Sequence, residues 1–76
     1  MTNPYGYTVA YRFNNGDTHE TYLSFNSIGE AKHYADNAMD NDKDIETTII
    51  NELDTFGDPT EIVAYREQGK SWITWK

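Results

Sequence analysis

The chain has 76 residues, no cysteine, and 13 Asp and Glu against 6 Lys and Arg, a net charge of −7. That length supports one domain over residues 1–76, without disulfides or thiolate-bound zinc, and the charge opposes binding to nucleic acid or an anionic membrane. Six Tyr, three Phe and two Trp are too many aromatics for a disordered acidic tail, so a folded domain is expected.

In chain order, Tyr5, Tyr7, Val9, Tyr11 and Phe13 alternate with small or polar residues, the period of a half-buried strand. Asn14-Asn15-Gly16 turns the chain into a second strand over about 17–25. A three-residue loop with Gly16 in the left-handed conformation pairs Tyr11 with His19, Tyr7 with Leu23 and Tyr5 with Phe25, keeping the apolar residues on one face. Ser27-Ile28-Gly29-Glu30 is a capping box that opens a helix running to about Met39. Ile28, Ala31, Ala35, Ala38 and Met39 share one helical face, and the alanines let it sit close on a sheet.

Ile45 to Leu53, rich in Thr and Ile, reads as a third strand. Phe56-Gly57-Asp58-Pro59 is a turn, Glu61 to Glu67 a fourth strand, Gln68-Gly69 a tight turn and Ser71 to Trp75 a fifth strand. A two-residue turn at Gln68-Gly69 pairs Tyr65 with Trp72 and Ile62 with Trp75. The expected fold is therefore α+β, ordered β-β-α-β-β-β, with one helix on one face of a mostly antiparallel sheet. Ile62, Ala64, Ile73 and Trp75 are expected under the helix. Tyr22, Val63, Tyr65 and Trp72 are expected on the open face, where Tyr and Trp are binding hot-spot residues. That face offers a route to a partner or to a homodimer.

Catalytic and metal motifs are sparse. Asp40-Asn41-Asp42-Lys43-Asp44 begins like a calcium loop, but Ile45 replaces the required glycine and Asn51 the bidentate glutamate. His19 and His33 lack metal-ligand spacing, the serines lack a nucleophile elbow, and no glycine-rich phosphate loop is present. One helix over one sheet offers no deep cleft to tune a carboxylate. We therefore expect no enzyme activity, no cofactor and no metal. No apolar run approaches the ~20 residues of a membrane span, and the N-terminal residues resemble no secretion signal, so a cytoplasmic protein is expected.

The strongest signal is acid at an unfavourable place. Asp36, Asp40, Asp42, Asp44 and Glu46 lie within eleven residues, relieved only by Lys43. Asp36 and Asp40 fall four apart near a helix C-terminus, where like charges repel and oppose the macrodipole, each by a few tenths of a kcal/mol or more. Such a row suits a basic surface, and nucleic-acid-handling proteins carry the most basic surfaces of a cell. These five residues are the candidate partner-binding site, with Tyr65 and Trp72 as second-line anchors.

The layout resembles small acidic phage-encoded inhibitors, anti-CRISPR proteins among them. A hairpin is followed by the helix opened by Ser27-Ile28-Gly29-Glu30-Ala31, then by a meander closing on Ile62-Val63-Ala64-Tyr65 and Gly69-Lys70-Ser71-Trp72. The resemblance covers architecture and composition over most of the chain. It implies a non-catalytic protein that disables a host nucleic-acid-processing complex, with nucleic-acid mimicry as one route.

Overall fold

In the computed structural model, which describes residues 6–21 and 23–75, the alternating segment forms β1 (Tyr7–Phe13) and turns back into β2 (Thr18–Glu20). The hairpin has the expected three-residue loop. Phe13 N–H donates to the Asp17 carbonyl at 2.8 Å and Gly16 N–H to the Phe13 carbonyl at 2.9 Å. Gly16 has a φ of 92°, left-handed backbone that glycine adopts without penalty. Tyr11 pairs with His19, their rings stacked at 6.5 Å.

Beyond Glu20 the ladder slips. The Thr21 N–H and hydroxyl both donate to the Val9 carbonyl, and Phe25, not Leu23, bridges to Tyr7. The shift of two residues keeps Phe25 on the Tyr7 face, where it packs against Tyr34 at 5.2 Å between ring centres. Leu23 is left exposed. Tyr5 and Tyr22, and with them the expected Tyr5–Phe25 pair, lie outside the described residues.

Helix α1 (Ile28–Asn41) runs two residues past its expected end at Met39. Ser27 caps it, its hydroxyl accepting from Glu30 N–H at 3.1 Å, and the Glu30 carboxylate takes the Asn26 N–H. Ala31, Ala35 and Met39 are wholly buried against Val9, Ile50 and Val63. Three more strands complete the sheet: β3 (Ile45–Leu53), β4 (Pro59–Glu67) and β5 (Ile73–Thr74). Pro59 opens β4, a position that needs no ladder N–H. The sheet order is β2-β1-β3-β4-β5, antiparallel throughout, with α1 over one face. The α+β architecture is the one expected.

Two local features correct the expected side-chain faces. On β4, Ala64 pairs with Ile50 and Ile62 with Asn51, which leaves Val63 as the extra residue of a bulge. Val63 and Ala64 are both fully buried, and Ile62 is turned out, 49% exposed. Between β4 and β5 the register is Tyr65 with Ile73 and Ala64 with Thr74, one residue from the expected Tyr65–Trp72 pairing. A one-residue slip moves every side chain to the other face. Trp72 therefore goes under the helix side, packed against the core, while Ile73 and Trp75 go to the open face, 49% and 58% exposed.

One polar pair sits inside this core. Tyr11 pairs with Thr48 across β1 and β3, and both hydroxyls are buried without a hydrogen-bond partner among the described residues. The Tyr34 phenol approaches Tyr11 without hydrogen-bond geometry. An unpartnered buried hydroxyl costs about 1–3 kcal/mol. Thr48→Val should accordingly raise stability by about 1 kcal/mol, whereas Ile50→Ala should cost about 2–5 kcal/mol, both read from urea unfolding. Burial, then the neighbouring Tyr34, pushes the Tyr11 phenol above its ordinary value. The unfolded phenol ionises first, so this stability is complete below about pH 10 and declines as pH rises past it. Tyr11→Phe should flatten that decline in a pH series of Tm.

Candidate functional site

The acidic segment is held from three directions. α1 ends at the cap residue Asp42, whose N–H donates to the Ala38 carbonyl at 2.9 Å. A helix C-terminus leaves carbonyls without intrahelical partners, and here Gln68, just beyond β4, supplies donors. Its side-chain amide lies 3.1 Å from both the Met39 and the Ile45 carbonyl, and 3.4 Å from that of Asp42. Its backbone N–H donates to the Glu46 carbonyl at 2.8 Å. From the other side, Asn14 N–H donates to the Asp44 carbonyl at 2.9 Å, tying the β1–β2 turn to the α1–β3 turn. Within the turn, the Asp42 carboxylate accepts from Asp44 N–H at 3.0 Å.

The five acidic residues singled out from the sequence are not equivalent. Asp40, Asp42 and Asp44 are exposed and make no salt bridge among the described residues. Glu46 is half-buried at the β3 bulge, skipped between the Phe13–Ile45 and Arg12–Thr47 pairs. Asp36 is drawn into the fold. Its carboxylate accepts from Arg66 Nη1 at 2.6 Å and from Trp72 Nε1 at 2.9 Å, and Lys32 lies 5.8 Å from the centre of the same indole. Trp72 is thus a half-buried tie between sheet and helix, on the side opposite the one expected of an open-face anchor. Tyr65 does occupy the open face, its ring 5.4 Å from that of Trp75.

A further acid belongs with the turn. Asp17 closes the β1–β2 turn and lines a shallow groove of about 460 Å³ with Phe13, Asn14, Asn15, Asp42 and Asp44. It is oriented locally, with Asn15 Nδ2 donating to its carboxylate at 3.1 Å. The antiparallel β1–β3 pairing brings it there, because that pairing sets the end of β1 beside the start of β3. The signal in the sequence was the turn position itself. It needed the strand order to become informative.

The arrangement can present negative charge, and it lacks the parts of an active site. Among the described residues no three His, Cys, Asp or Glu side chains converge on a metal position. His19 is stacked on Tyr11, and His33 lines an open, mainly apolar groove with Phe25 and Tyr34. Neither is hydrogen-bonded to a serine or a carboxylate among the described residues.

Gln68→Ala removes the amide that gathers the carbonyls of the acidic turn. It should cost about 1–3 kcal/mol and speed hydrogen exchange at the Asp44 and Ile45 amides while leaving β1 protected. Asp36→Asn leaves Arg66 and Trp72 without a charged acceptor. Because that carboxylate is partly exposed, 42% by side chain, the loss should be on the order of 1 kcal/mol, with a shift in Trp72 fluorescence.

Comparison of the chain with protein-family models, with curated proteins and with solved structures finds no match in any of the three.

Proposed function

We propose that the chain is a non-catalytic binding protein whose acidic end occupies a basic site on a nucleic-acid-handling protein. This is the role of an inhibitor or adaptor in the cytoplasm of a host cell. Four carboxylates carry the reading: Asp17, Asp40, Asp42 and Asp44 project from two turns that are hydrogen-bonded to each other and to Gln68. The positive side chains Arg66 and Lys32 lie elsewhere, beside Asp36 and Trp72, and Lys43 alone interrupts the acidic turn. The repulsion is therefore retained in the fold, neither paired nor dispersed. Held charges suit recognition because little ordering is needed when the partner arrives.

A groove built for duplex DNA expects about one charge per 1.7 Å of axis. A fixed acidic row can compete for its Lys and Arg residues, and the attraction between opposite fields speeds encounter. Asp36 is excluded from this face because its carboxylate serves Arg66 and Trp72. The row of five thus becomes a surface of four with Glu46 at its margin.

The test is affinity capture from bacterial lysate beside a variant carrying Asp17, Asp40, Asp42 and Asp44 changed to Asn. Asparagine at position 42 can still accept from the Asp44 N–H, so the turn is preserved. The wild type should retain a nucleic-acid-handling protein that the variant binds at least about tenfold more weakly, with a flatter dependence on salt. Equal affinity and an equal salt slope for the two chains would remove the acidic end from the function.

A further inference from the structure

The face of the sheet away from α1 carries a pattern that fits a copy of itself. Paired residues on neighbouring strands share a face, so the register reads the surface directly. One row crosses all five strands as Glu20, Ala10, Ile49, Tyr65 and Ile73. Trp75 stands against Tyr65, and Ile62 lies one row along, beside Asn51. Ile62, Ile73 and Trp75 are half or more exposed. The row on the other side reads Thr18, Arg12, Thr47 and Glu67. The apolar band thus lies between a small residue on β1 and large ones on β4 and β5, with one cation and one anion in fixed places beside it.

We propose that two copies of this chain pair face to face through this surface, about a two-fold axis that runs parallel to the strands over β3. The strand order places β3 at the centre of the sheet. Rotation about such an axis keeps each row in register and exchanges β1 with β4. Ile49 then meets its own copy, and Ala10 lies opposite the large ring of Tyr65. In the next row Arg12 of each copy lies opposite Glu67 of the other. The pairing is therefore complementary in size and in charge at once, and the charge pair forms twice, as an isologous contact requires. A helix layered on a sheet is thinnest across the layers, so the face spans the two longer dimensions, 37 and 22 Å. That is room for the roughly 800 Å² per partner of a standard interface. Two sheets packed in this way lie at the usual small angle of aligned sandwiches.

The axis also makes a prediction about salt. Asp17, Asp42 and Asp44 lie at one end of the strands, and rotation about an axis parallel to the strands sets the two acidic ends side by side. Their repulsion opposes pairing and is screened by salt. The dimer should tighten as salt rises, the opposite trend from the binding of the acidic end to a basic partner.

Sedimentation equilibrium from micromolar up to about 1 mM chain, the weak end of the affinity scale, at low and at high salt, tests the proposal. The wild type should dimerise, more tightly at high salt. Arg12→Glu, which sets like charges opposite each other at two symmetric places, should weaken the dimer about tenfold. Arg12→Glu combined with Glu67→Arg should restore it to within about threefold. Trp75→Lys should abolish it, with circular dichroism confirming that each variant is folded. A wild type that stays monomeric throughout overturns the proposal, and so does a double charge reversal that fails to rescue. Neither charge site belongs to the acidic end, so the outcome is independent of capture by that end.

Discussion

The Asp36 carboxylate is the point on which the rest of the arrangement turns. It sits on α1 and accepts from both Trp72 and Arg66. A buried indole N–H must find an acceptor, and this one lies on the helix side of the sheet. Trp72 is drawn to that side, and strand alternation then sends Ile73 and Trp75 to the other. Exposing two large apolar residues is unfavourable at about 25 cal/mol per Å². It is offset by two hydrogen bonds to a charged group, each worth about 1.5–3 kcal/mol, and by Lys32 over the indole. The apolar character of the open face is thus a consequence of one carboxylate on the opposite face.

The same hairpin organises the acidic end. Arg66 and Gln68 are two residues apart at the end of β4, and both reach α1, one to Asp36 and the other to the Met39 carbonyl. Charge is segregated as a result. Lys32 and Arg66 gather around Asp36 and Trp72, with Lys70 beside them, its carbonyl accepting from Arg66 Nε at 2.7 Å. The far end keeps its aspartates with Lys43 as the sole cation within the turn. A chain with six basic residues that commits several of them to one internal site leaves the other end strongly negative.

Much of this was legible in the sequence wherever the cause is local. The odd-numbered apolar run of β1, the Gly16 loop, the Ser27 cap and the alanine face of α1 each obey rules that act within a few residues, and each is present. The parts that were not legible depend on a single inserted residue. The bulge at Val63 has no marker such as glycine, and the β4–β5 connection is one residue longer than a tight Gln68-Gly69 turn allows. Each inverts the faces of the strand residues beyond it. Trp72 offered a clue, since its N–H argues for a polar neighbour, but the acceptor lies 36 residues away. Asp17 stayed hidden for a similar reason. Its membership in the acidic end depends on β1 lying beside β3, and β-β-α-β-β-β leaves the strand order open.

The two proposed surfaces are not thermodynamically independent. Pairing through the open face brings two acidic ends together, so part of the association energy is spent against their mutual repulsion. A basic partner on those ends neutralises the charge and removes that opposition. The partner should therefore bind the dimer more tightly than the monomer, and by linkage it should tighten the dimer by the same factor. A doubled acidic surface would also offer a basic groove two patches on one rigid body, which raises the effective concentration of the second once the first has bound. A small chain with a modest core could in this way match a long phosphate track by repetition, using the same Asp17, Asp40, Asp42 and Asp44 twice.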